Sequence, residues 1–245
     1  LRPLLAFSRT DLQDFLRTQR QGWCNDPSNE DPAFMRVRMR QAASDLEALG
    51  LTGHRLATTA TRMGFVQEAL EFSTRELWPQ VAQIDFTDVL FDQVSLSRLP
   101  REYVERMVSD ALNWISGQPY RPRNSALLRA IAAKKTATLH GCVLIPQSGD
   151  VLRISREFSA VEGQVVQAGA PWDSRISMKN FKKSYEIRAL GPHGLGQCPK
   201  WRDSGRPRLA LLGSPSVWQG QTLLAAPMAQ FGPKDMLEVV SQLWE

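Results

Sequence analysis

The sequence has 245 residues, 30 Lys plus Arg against 25 Asp plus Glu, a formal charge of +5 and 42% hydrophobic residues, enough for one large domain or two small ones with buried cores. A charged fraction of 22% with seven Trp and ten Phe excludes long disorder, and no apolar run approaches the roughly 20 residues that cross a bilayer, so no membrane partner is expected. Cys24, Cys142 and Cys198 are odd in number and far apart, which fits a reducing, cytoplasmic setting better than a disulfide framework; with His54, His140 and His193 they are not spaced as a metal site, and no metal ligands are expected.

Position 1 is Leu, and Leu1 to Phe7 is too short for a signal peptide. Arg2-Pro3-Leu4-Leu5 runs into Ser8-Arg9-Thr10-Asp11-Leu12, where Ser8 or Thr10 is placed to cap a helix carrying Leu12, Phe15 and Leu16 and stopping near Gly22. Trp23 to Pro32 is predicted loop, because Asn25-Asp26-Pro27-Ser28-Asn29 folds side chains onto its own backbone and two prolines resist helix. From Ala33 a helix carries Arg36, Arg38 and Arg40, of which only Arg36 and Arg40 share a face. A longer helix is predicted from His54 to about Val81, weakened at Gly64.

Ile84, Phe86, Val89, Phe91 and Val94 read as short strands. After Pro100, the positions Val104, Met107, Val108, Ala111, Leu112 and Ile115 form one apolar stripe of a helix that Gly117 ends, and Ser125 to Ala133 is a shorter helix. Thr136 to Ile145 and Val151 to Ile154, joined by a turn at residues 146–150, read as a hairpin. The Gly- and Pro-rich remainder reads as short strands and loops with one late helix, Pro233 to Leu243. The expected class is α+β, with a mainly helical middle domain over 41–135 and a small mixed α/β domain over 136–245.

Charge is unevenly spread. Residues 1–120 hold 13 Arg, no Lys and 16 acids, whereas residues 121–245 hold 17 basic residues and nine acids, so the second half is the one expected to meet a polyanion. Lys179, Lys182 and Lys183, interleaved with Phe181 and Tyr185 and followed by Arg188, combine phosphate-neutralising cations with rings that stack on unpaired bases; a solvated surface explains the same pattern. Gly191-Pro192-His193-Gly194-Leu195-Gly196 is read as a Gly-rich turn, since Cys198-Pro199 follows where a phosphate loop would open a helix. His140 and Cys142 share a strand face and invite a nucleophile reading, but no orienting third group is indicated.

Residues 23–40 carry the most specific pattern. Asp26-Pro27-Ser28-Asn29 followed by Arg36 and Arg40 resembles the signature of the tRNA(Ile)-lysidine synthetase family, whose catalytic domain ends in W-x-x-D-P-S-N, a spacer and an R-N-x-x-R helix start. Arg2-Pro3-Leu4-Leu5 and Arg9 precede it at the family's separation, and Tyr120-Arg121-Pro122-Arg123, Thr138 to Cys142, Arg156-Glu157 and Trp172-Asp173-Ser174-Arg175 resemble its C-terminal region.

The resemblance implies that residues 1–40 are the tail of an α/β ATP-pyrophosphatase-like catalytic domain. It also implies a ligase joining L-lysine to the wobble cytidine of a tRNA(Ile) with a CAU anticodon. ATP adenylates the base at its C2 oxygen with loss of pyrophosphate, and the lysine amine then displaces AMP. The family's S-G-G-x-D-S loop does not occur in these 245 residues. The chain is therefore expected to be the C-terminal portion of such an enzyme, with ATP and Mg²⁺ used by the parent, no cofactor-binding residues here and none bound to this chain alone. The missing N-terminal ATP-binding domain is an expected partner. Asp26, Asn29, Arg36 and Arg40 are the catalytic candidates, Arg36 first, because a guanidinium holds a phosphate or carboxylate through paired hydrogen bonds. A structural alternative has Asp26 and Asn29 capping the next helix and Arg36 pairing with Asp26. Val37 stands where the family has Asn. Arg156, Arg175, Lys179, Lys182 and Lys183 are the tRNA-contact candidates. Two other readings are a stand-alone RNA-binding or assembly module without catalysis, and an unrelated enzyme using His140 and Cys142.

Overall fold

Ser8 starts the first helix, α1 (Arg9–Thr18). Its hydroxyl accepts from the Asp11 amide at 3.1 Å and the Asp11 carboxylate accepts from the Ser8 amide at 2.8 Å, a reciprocal cap that satisfies two otherwise orphaned donors. The computed structural model describes residues 3–4, 7–24, 26–29, 31–167, 170–179, 184–241 and 243, and the chain divides into two units, Leu1–Gln67 and Glu68–Glu245.

In the first unit, a 3₁₀ turn at Pro27–Asn29 leads to α2 (Met35–Gln41) and α3 (Ala43–Ala48). No residue of α1 is buried, while Val37 is. The next helix, α4 (Gly53–Val81), runs on into the second unit. Its buried residues are Thr74, Trp78 and Val81, all near its C-terminal end.

In the second unit, β1 (Ala82–Asp85) and β2 (Asp88–Asp92) form a hairpin, followed by α5 (Gln93–Ser97), α6 (Arg101–Ser116) and α7 (Asn124–Ala132). Then come β3 (Ala137–Leu139), β4 (Cys142–Gln147) and β5 (Val151–Arg156). These strands make one antiparallel sheet in the order β1-β2-β5-β4-β3. The predicted stripe of α6 packs against it: Met107, Val108, Ala111, Leu112 and Ile115 are fully buried with Phe91, Leu144 and Ile154. Gly117 ends α6 in the left-handed region at φ +70°, as an L side chain there would be strained.

Beyond β5, α8 (Phe158–Val161) precedes β6 (Val165–Gln167), β7 (Ile176–Met178), β8 (Glu186–Ala189), α9 (Gly191–Gly196), α10 (Arg208–Leu212), β9 (Pro215–Gln219), β10 (Thr222–Ala225) and β11 (Leu237–Val239). A four-stranded antiparallel sheet runs β10-β9-β8-β6, and β11 pairs with β7. Trp172 and Trp218 are almost fully buried in this half.

The mixture of helices and sheets is as expected, but three elements are corrected. Thr136 to Ile145 is two strands, because His140 and Gly141 both have positive φ, +60° and +71°, which makes a tight hairpin turn between paired Leu139 and Cys142. The late helix over residues 233–243 is replaced by β11, since Leu237 finds a strand partner in Met178, and pairing overrides a helix-compatible spacing. Gly191 to Gly196 forms the short helix α9 rather than a turn. Residues on both sides of position 135 share the five-stranded sheet.

Candidate nucleic-acid interface

In the first unit, Asp26 Oδ1 accepts from the Ser28 amide at 2.9 Å, and the Asn29 amide donates to the Asp26 carbonyl at 3.0 Å. Asp26 thus caps the 3₁₀ turn. Phe34 occupies the N-cap of α2 with no side-chain capping hydrogen bond, which corrects the idea that Asp26 and Asn29 cap that helix. Arg40 is exposed and its Nη1 donates to the Asn29 carbonyl at 3.4 Å, tying the helix to the loop. The Arg36 side chain lies outside the described residues.

Arg156 and Arg175, expected to face RNA, are instead interior. Their side chains are 8% and 3% exposed and both approach Asp173, itself 6% exposed. Arg156 makes two parallel bonds to Asp173, from Nε at 2.8 Å and Nη2 at 3.0 Å, and its Nη1 donates to the Gly141 carbonyl at 2.6 Å. A Cβ on Gly141 would lie 2.5 Å from that Nη1, so glycine is needed for both the turn and the guanidinium. Arg175 Nη2 stands 3.5 Å from Asp173, Nη1 donates to the Thr87 carbonyl at 3.3 Å, and the guanidinium lies 4.9 Å from the Trp114 ring centre. Burial pulls the Arg175 pKa down while Asp173 opposes it. Charges this covered and internally paired do not present themselves to phosphates, and this corrects the RNA role expected for Arg156 and Arg175.

A second ionic cluster joins the β1–β2 hairpin to later segments. Arg153 Nη1 donates to Asp88 at 2.7 Å and to Asp85 at 2.9 Å, Ser155 Oγ donates to Asp88 at 2.7 Å, and Arg206 Nε donates to Asp85 at 3.1 Å. Burial pushes the Asp88 carboxyl up to about 6 despite Arg153 and Ser155. Asp85, only partly covered, is held below the usual carboxylate value by its bonds to Arg206 and Arg153, which outweigh its burial.

The nucleophile reading of His140 and Cys142 is not supported. The Cys142 thiol donates to backbone carbonyls of Leu112 and His140 at 3.7 and 3.8 Å, and burial pushes its pKa up to about 12, so it holds a proton where a thiolate would be required. Burial draws His140 down, and its Nε2 has no hydrogen-bond partner among the described residues. Among the described residues no three His, Cys, Asp or Glu gather to hold a metal ion.

On the surface, Lys179 is exposed, with Glu238 Oε2 3.9 Å from its ammonium. Lys182 and Lys183 lie outside the described residues. Arg188, on β8, places its guanidinium carbon 4.0 Å from the Trp218 ring centre.

Comparison with known proteins adds two findings. The PP-loop domain family matches residues 1–46. A tRNA(Ile)-lysidine synthase from Ruegeria pomeroyi is 41% identical over 233 residues, covering 94% of this chain and 55% of the relative. The chain is a homologue of the tRNA(Ile)-lysidine synthases. Synthases from Anaplasma marginale and Wolbachia pipientis wMel are 24% and 28% identical, covering 73% and 72% of this chain and 41% and 43% of their own length. The chain spans about half the length of the curated relatives it matches.

The PP-loop match contains Asp26, Asn29, Arg36 and Arg40, the residues on which the lysidine-synthase resemblance was built. Asp173, the partner of both buried arginines, lies in Trp172-Asp173-Ser174-Arg175, a stretch whose local pattern names no distant partner. Its signal was the Asp-Ser pair, which takes positive φ at both positions, +49° and +58°, a conformation that short polar residues tolerate better than most.

Proposed function

We propose that this chain works within a tRNA-modifying ligase that joins L-lysine to the wobble cytidine of tRNA(Ile) with a CAU anticodon, using ATP and releasing AMP and pyrophosphate. The carrying observation is the 41% identity over 94% of the chain to a protein named tRNA(Ile)-lysidine synthase. Residues 1–40 then close the ATP-binding domain, and tRNA contact is concentrated in 136–245. A cytoplasmic setting accords with a tRNA substrate, and no helix among the described residues is long and apolar enough to cross a membrane.

In this reading Asp26 and Asn29 hold the loop that positions α2, and Arg36 and Arg40 offer guanidiniums to a phosphate or to the lysine carboxylate. The reading uses ATP with Mg²⁺; among the described residues no group of three or more His, Cys, Asp or Glu gathers to hold that ion. Lys179, Lys182 and Lys183 neutralise tRNA phosphates, whereas Arg156 and Arg175 hold the fold that carries them.

The test is formation of lysidine by the gene-complete protein with tRNA(Ile), ATP and labelled lysine. Incorporation that depends on all three supports the reading. Absence of incorporation, with tRNA binding retained, favours instead a non-catalytic RNA-binding or assembly module.

A further inference from the structure

The Gly-rich run of α9 borders an open cleft of about 360 Å³ lined by Phe158, Glu162, Arg188, His193, Trp218 and Gln221 among others, within the size range of small-molecule sites, about 300–1,000 Å³. Its glycines have a packing reason. A Cβ on Gly194 would lie 2.7 Å from the Trp218 ring, and one on Gly191, at φ +61°, would lie 3.2 Å from the Phe158 ring. The run lets α9 close down on two aromatic walls rather than cradle phosphate.

Trp218 is only 1% exposed, and its Nε1 donates to the buried Ser216 hydroxyl at 2.8 Å, which fixes the ring. Over it lies the Arg188 guanidinium at 4.0 Å, and the His193 ring is nearly parallel to it, 18° off at 5.9 Å. Arg188 Nη2 donates to the Gly220 carbonyl at 2.9 Å. No carboxylate forms an ion pair with Arg188 among the described residues. A flat cation backed by a locked indole is a stacking plate for a base, since guanidinium planes and aromatic rings both stack on unpaired bases. Glu162, on the same lining, repels phosphate oxygens but accepts from the N–H edge of a base. Lys179, Lys182 and Lys183 precede β8, which carries Arg188, by a few residues in sequence, so cations for flanking phosphates belong to the same stretch.

We infer that this cleft takes one unpaired nucleobase of bound RNA, stacked against Arg188, with Glu162 accepting from the base's amino group. The inference rests on the RNA-contact reading above.

The test uses the 245-residue chain and two probes, a single-stranded RNA of about 12 nucleotides and the same strand in a duplex. Arg188→Ala is expected to weaken the single strand about tenfold and the duplex less than twofold, since stacking acts on unpaired bases alone while a lone phosphate contact acts on both probes. A 4-thiouridine strand is expected to crosslink within residues 158–164 or 186–193. Glu162, being exposed, tolerates Glu162→Gln without loss of fold, and this variant is expected to erase a preference for oligo(C) over oligo(U), because cytosine offers an amino donor where uracil offers an acceptor. Equal loss on both probes, crosslinks confined elsewhere, or the absence of any oligo(C) preference in the parent chain would overturn the cleft assignment while leaving RNA contact standing. Failure of both probes to bind overturns the RNA-contact reading itself.

Discussion

Arg156 and Asp173 are joined by two hydrogen bonds, 2.8 and 3.0 Å, with both side chains buried. The pair links the end of β5 to a turn whose two central residues sit at positive φ. Removing one member of such a pair leaves an uncompensated interior charge, at a cost of about 3–5 kcal/mol. Asp173→Ala and Arg156→Ala are each expected to lower the unfolding free energy of the chain by that order, read from urea titrations. Arg156→Lys should recover little, because an ammonium does not make the paired bonds. A loss under 1 kcal/mol in equilibrium unfolding would return Arg156 to the surface role first expected of it, on the order of an exposed ion pair.

Asp88 supplies a pH signature. Its folded pKa is raised to about 6 from an ordinary 3.8, so between pH 4 and 6 the folded state binds more protons than the unfolded one. The stabilisation is complete below the unfolded value and is lost as pH rises through about 6, at about 1.4 kcal/mol per pKa unit. Asp85, lowered instead, acts in the opposite sense and below pH 3.8, as its contribution is lost on acidification through its folded value. Asp88→Asn is expected to flatten the fall in stability between pH 4 and 6 in urea titrations. An unchanged slope would show that burial does not govern this carboxyl.

Cysteine labelling separates the thiols. Cys24 is exposed, whereas Cys142 and Cys198 are buried with pKa values pushed up to about 12 and 11. Iodoacetamide at pH 8 is expected to modify Cys24 first by mass spectrometry, with Cys142 reacting only on unfolding. Rapid modification of Cys142 in the folded chain would revive the nucleophile reading.

Salt dependence tests the polyanion surface. Affinity of the chain for tRNA(Ile) is expected to fall steeply from 50 to 200 mM salt, roughly 10³-fold if about six phosphates are neutralised. Lys179→Ala, Lys182→Ala and Lys183→Ala are each expected to reduce the logarithmic salt slope by about one. Affinity that stays flat across this range rejects phosphate contact by these lysines.

On the proposed reading, Arg36→Ala in the full-length protein is expected to reduce lysidine formation by two orders of magnitude or about 2.7 kcal/mol in the barrier, as for loss of one charge-stabilising donor. Unchanged turnover would assign Arg36 an internal, structural use.

Local rules were enough for the elements whose determinants sit within a few residues of one another. The stripe from Val104 to Ile115 and its stop at Gly117 are written into one short segment and found as expected, and of the two caps offered for the first helix, Ser8 and Thr10, the structure uses Ser8. The family resemblance was equally local, held by Asp26-Pro27-Ser28-Asn29 and the arginines that follow it.

Tertiary structure decided what depends on distant partners. A basic residue reads the same on paper whether it meets solvent or a carboxylate, and Arg156 meets one 17 residues away while Arg153 meets one 65 residues away. Strand β11 exists because β7 offers it a ladder about 60 positions earlier, and the plate formed by Arg188 and Trp218 exists because β8 and β9 are neighbours in one sheet. Hydrogen bonds and ion pairs act over a few ångströms in space, so sequence alone sets which groups are available, and the fold chooses which of them are spent inside and which are left to face a ligand.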